Sequence, residues 1–88
     1  MKHAGPQTLA ALAPLLAQLR AALPAAVERK AGTFYRKGQA FLHFHEDPAG
    51  LFADLKVAGQ WQRSAVNTAA ERAALVRAAK SVAEPRLP

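Results

Sequence analysis

The order of hydrophobic periods along this chain predicts an α+β fold. It should comprise an N-terminal helix, an antiparallel meander of four to five strands and a C-terminal helix, with both helices on one sheet face. Three observations predict it. Leucines recur at helical spacing from Leu9 to Leu23. The apolar period then drops from about 3.6 residues to about 2 between Val27 and Val66, with turn residues between short runs. A helix-start signature at Thr68 then restores the helical period. The 88 residues suit one domain, with residues 1–6 expected as a loose arm and residues 85–88 as a tail. A chain of this length buries only about 60–65% of its unfolded surface, so few elements must supply the core.

Taken in order, Leu9, Leu12, Leu16, Leu19 and Leu23 share one helical face. Pro6 suits a first turn. Pro14 interrupts the pattern, so the helix either kinks there or begins properly near residue 13, and Pro24 closes it. Two heptads are too few for a coiled coil, which makes this stripe a core face. The strands expected next are Val27–Lys30, Thr33–Arg36, Gln39–His45, Leu51–Val57 and Gln60–Val66. Gly32, Lys37-Gly38, Asp47-Pro48-Ala49-Gly50 and Ala58-Gly59 separate them, and links this short make neighbours antiparallel. Last, Thr68-Ala-Ala-Glu71 reads as a capping box, Leu75, Val76, Ala79 and Val82 form an apolar stripe, and Glu84-Pro85 ends the helix.

Turn chemistry sets the strand register. With a tight turn between Asp47 and Gly50, Phe44 faces Ala53, Leu42 faces Leu55 and Ala40 faces Val57. That wholly apolar face belongs under the helices. By alternation the other face pairs His45 with Phe52, His43 with Asp54 and Phe41 with Lys56. A two-residue turn at Ala58-Gly59 adds Lys56 opposite Trp61 and Asp54 opposite Arg63. The open face therefore carries Phe41, His43, His45, Phe52, Asp54, Lys56, Trp61 and Arg63, the candidate binding residues. This register also turns Gln62 and Ser64 inward. A bulge at Gly59 would instead shift the last strand by one and bury Trp61 and Arg63.

Composition narrows the chemistry. Twelve Lys and Arg against six acids give a net charge of +6, which permits nucleic-acid binding without demanding it. There is no cysteine, so no disulfide or thiolate metal site is available; a cytoplasmic protein of bacterial type is expected. The start, "MKHAGPQ", lacks the apolar run of a signal peptide, and Pro14, Gln18 and Arg20 make the leucine-rich segment unsuited to a bilayer. Ser64 and Ser81 lie in no nucleophile elbow, and no glycine spacing suits a phosphate loop. A catalytic residue or cofactor is therefore not expected.

His43 and His45 point the same way from one strand, and Asp54 could join them as a third metal ligand. With His3 on a loose arm, however, half-exposed histidines in cross-strand pairs are the simpler reading, and no metal is expected. Aromatics beside Lys56 and Arg63 could stack bases and meet phosphates. Against this, Asp54 repels phosphate, and a protein partner or a second copy of the chain would cover the same aromatics. The expectation is a non-enzymatic binding module for nucleic acid or protein, self-association included. A small-molecule or metal site, or an enzyme, using His43, His45 and Asp54 is the rival.

The helix–meander–helix order, the Leu23-Pro24 helix exit and the aromatic-x-x-x-Gly-x-x-aromatic run from Phe34 to Phe41 resemble the MmcQ/YjbR-like group of small bacterial proteins. Those proteins are related in fold to the frataxin-like (CyaY-like) proteins, and the likeness covers about residues 13 to 83. The chain is shorter than is usual there, with only "VNT" between sheet and last helix. The resemblance implies the predicted fold and, from some relatives described as DNA-binding, a link to DNA. Frataxin-like iron binding uses acidic residues on the first helix; Leu9–Leu23 has none, so that property does not carry over.

Overall fold

Leu12 divides the N-terminal leucine pattern in two. In the computed structural model, which describes residues 1–84, helix α1 spans Pro6–Ala11 and α2 spans Ala13–Ala22, with Leu12 as the shared cap. Pro14 stands in the first turn of α2, where a missing backbone N–H costs nothing. The leucine face is nevertheless continuous, because Leu12, Leu15, Leu16, Leu19 and Leu23 are all buried. The expected tail at 85–88 lies outside the described residues.

The meander consists of β2 (Val27–Lys30), β3 (Thr33–Arg36), β4 (Gln39–Asp47), β5 (Gly50–Val57) and β6 (Gln60–Ala65), hydrogen-bonded in that order. Two of its turns follow directly from sequence. Lys37 and Gly38 have φ of 53° and 80°, and Ala58 and Gly59 have 51° and 82°. Left-handed backbone at both central residues makes each a two-residue hairpin turn whose twist matches its strands. At the third turn Asp47 Oδ2 accepts the Ala49 N–H at 3.1 Å, which stabilises the reversal locally.

Helix α3 (Ala69–Ala83) starts with the expected capping box. Thr68 Oγ1 accepts the Glu71 N–H at 3.1 Å, while Glu71 Oε1 accepts the N–H groups of Thr68 and Asn67 at 3.0 and 2.9 Å. Asn67 ties this helix start to the sheet by bonding both backbone groups of Leu51. Gly50 lies beneath that amide, and a Cβ there would sit 2.9 Å from it.

Leu42 pairs with Leu55 and Phe44 with Ala53, as the turn predicts. With Phe34 these residues meet the α2 leucines, Leu75 and Ala79 in one core. Both helical regions cover that sheet face, leaving the other face without a second layer. The last strand is unbulged: Val57 pairs with Gln60 and Lys56 with Trp61, so Trp61 stays on the open side. Gln62 and Ser64 do face the helix layer, yet both are exposed. They belong to an edge strand and line a cleft beside Ala74, Leu75 and Ala78 of α3, which removes the cost of turning polar groups inward.

Two features depart from the sequence reading. Phe41 belongs to the buried core, at 5% exposure, and not to the open face. The β3–β4 register shifts between Phe34 and Tyr35, and the β4–β5 ladder is registered only from Leu42 onward. Strict alternation therefore stops short of Phe41. The N-terminal arm is also structured. Lys2–His3 forms a strand, β1, that pairs antiparallel with β4 beyond the end of β3, placing Lys2 opposite Glu46 and His3 opposite His45. Ala4 donates its N–H to the Phe44 carbonyl, and Gly5 donates to Glu46 Oε1.

Candidate binding face

Seven of the eight residues proposed from sequence remain around the open face. Its centre is Asp54 on β5, opposite His43 on one side and Arg63 on the other. Arg63 grips the carboxylate with two hydrogen bonds of 2.8 Å, from Nε to Oδ1 and from Nη2 to Oδ2. This two-pronged contact holds Asp54 below the usual carboxylate range, even though burial alone would raise it. Asp54 is therefore anionic, but its charge is cancelled locally.

Histidine crowding was not legible in sequence. The rings of His43 and His45 lie 4.9 Å apart between centroids, and His3 approaches them at 5.6 and 4.6 Å respectively. Burial pushes His43 and His45 below the usual histidine range; neighbouring histidines and Arg63 add to the shift, and Asp54 opposes it. Both rings are thus neutral at pH 7. His45 Nδ1 lies 3.1 Å from Asp54 Oδ2, but neither His45 Nδ1 nor His43 Nδ1 forms an aligned hydrogen bond. The distance alone makes an electrostatic contact; the direction denies it hydrogen-bond geometry.

Trp61 reaches across β5 so that its ring lies 4.6 Å from that of His43. Its outer surface stays 45% exposed, with Lys56 Nζ 5.8 Å from the ring centroid. Phe52 is half-buried opposite His45. On the other flank Arg29 stands 4.8 Å from the Tyr35 ring, and Val27, paired with Tyr35, is 56% exposed. Tyr35 and Arg29 extend the surface beyond the residues chosen from sequence; the alternation in "TFYR" carries the signal for Tyr35. A cleft of about 310 Å³ opens between the end of β1 and the start of β3, lined by His3, Lys30, Gly32, Tyr35, His43 and Phe44. Gly32 keeps that edge thin, because its Cβ would lie 2.6 Å from the Leu9 side chain.

The face thus offers aromatic surface, cations and neutral imidazoles, with its one central acid already paired. Among the described residues no helix is long and apolar enough to cross a membrane. No family model, curated protein or solved structure matches the chain.

Proposed function

We propose that this protein is a non-enzymatic module that binds single-stranded nucleic acid on its uncovered sheet face. The observation that carries the reading is the state of Asp54. A carboxylate amid the aromatics would repel phosphate, but Arg63 neutralises it from the neighbouring strand. What remains is a half-exposed Trp61 beside Lys56 on one flank and Tyr35 beneath Arg29 on the other. Aromatic platforms flanked by cations suit stacked bases and a phosphate backbone, and the net charge of +6 favours encounter. The same proposal places the protein in the cytoplasm and beside the MmcQ/YjbR-like proteins it resembles, some of them described as DNA-binding.

Trp61 is the sole tryptophan, so its fluorescence reports directly on the face. Titration with random single- and double-stranded oligonucleotides should show quenching that favours single strands. Affinity should fall steeply between about 50 and 200 mM salt, as released counterions require. Absence of quenching, together with a concentration-dependent dimer that shields Trp61, would assign the face to protein contact instead.

A further inference from the structure

The three histidines form a second chemical feature, and two of them, His3 and His43, line the cleft between β1 and β3. We infer that His3, His43 and His45 are the protein ligands of a borderline transition-metal dication, zinc foremost. One ring nitrogen from each lies within 4.8 Å of the others. Tetrahedral zinc with Zn–N bonds of about 2.0–2.1 Å requires nitrogens about 3.4 Å apart, so the cluster must contract by only about 1.4 Å. His3 can supply that movement, since it is exposed on a two-residue strand while the other rings are packed. Its place is not accidental to the fold: β1 pairs with β4 in the register that sets His3 directly opposite His45.

The state of the rings points the same way. His45 is only 8% exposed, yet its Nδ1 has no hydrogen-bond partner, and the same holds for His43 Nδ1. Buried polar nitrogens are ordinarily satisfied, and an unsatisfied group calls for an explanation such as an absent ion. Asp54 is not a ligand here, because Arg63 engages both of its oxygens. Its Oδ2 lies 3.1 Å from His45 Nδ1 but without hydrogen-bond alignment.

An all-imidazole donor set selects zinc, copper or nickel over magnesium and calcium, which require oxygen ligands. Three protein ligands leave one position open, as in zinc sites that exchange water or bind a further ligand. His3 and His43 also line the 310 Å³ cleft together with Lys30 and Tyr35, so a small anionic ligand in that cleft would lie next to the site.

The test uses the full chain without added histidines. Calorimetric titration with Zn²⁺ and Mg²⁺ at pH 7.5 should show one zinc per chain and no magnesium. Co²⁺ should give the intense visible bands of tetrahedral coordination. His3→Gln, at an exposed position, should fold normally and weaken zinc binding by at least the roughly 10–100-fold that loss of an outer-sphere partner alone costs. His43→Gln should do the same. Zinc affinity unchanged in His3→Gln, octahedral-type cobalt spectra, or no saturable zinc binding would each overturn the site. Oligonucleotide titrations run in chelator keep this outcome separate from the nucleic-acid reading.

Discussion

The two faces of the β4–β5 ladder arise from the same short stretch of sequence but are buried by different means. On one face Leu42, Phe44, Ala53 and Leu55 lie beneath a second layer of helices and are at most 4% exposed. On the other, His45 and Asp54 reach 8% and 5% exposure with no layer above them. Neighbours on the same face cover them: His3 from β1 lies against His45, and Arg63 from β6 grips Asp54. A covering layer rewards apolar volume, and any side chain removed from it leaves a cavity. Cover made of side chains on an open sheet rewards paired charge and stacked rings, and water can refill whatever is lost.

The largest effect should come from the covered face. Leu42→Ala or Leu55→Ala should cost about 2–5 kcal/mol by urea denaturation, the range for a buried leucine. Losses below about 1 kcal/mol for both would mean that the helices do not seal this face. On the open face, Trp61→Ala should reverse the balance between stability and binding. It should reduce oligonucleotide affinity by about 1–3 kcal/mol, the scale of a stacked base, while destabilising the fold less than Leu55→Ala does. A Trp61→Ala protein that unfolds would show that side-chain cover is as demanding as a second layer. Thr68→Ala touches neither face and calibrates the scale; loss of the cap should cost about 1 kcal/mol.

The smallest effect is a pH dependence confined to the open face. His43 and His45 titrate below the ordinary histidine value in the folded chain, so the unfolded state binds protons first. The stability they contribute is complete above about pH 6.5 and is lost as the pH falls from there toward their folded values. The groups facing them are His3, Asp54 and Arg63. Asp54 is itself held low and adds a further loss only below its ordinary value of about 4. Melting temperatures measured in chelator should therefore decline between pH 7.5 and 5.5, and His45→Gln should flatten that decline. A Leu42→Ala protein should keep the same slope at lower overall stability.

Much of this difference between faces was legible in sequence. Two-residue turns at Lys37-Gly38 and Ala58-Gly59 and the Asp47–Gly50 reversal determine which residues pair. From them follow Leu42 with Leu55, His43 with Asp54, Asp54 with Arg63 and Lys56 with Trp61. The Thr68–Glu71 box likewise determines where α3 starts. Each of these signals acts over a few neighbouring residues, so period and turn chemistry carry it.

Tertiary structure alone decided the rest. Phe41 entered the core because the β3–β4 register shifts beside it, and no local pattern announces how a strand compromises between two neighbours. Gln62 and Ser64 proved harmless because α3 leaves the edge strand partly uncovered. His3 joined His43 and His45 because β4 outruns β3 and leaves unpaired backbone groups on that edge. Such groups are satisfied by whatever segment can reach them. That segment comes from nearly half the chain away and is too short to show any period, so the three-histidine cluster exists only once the chain has folded.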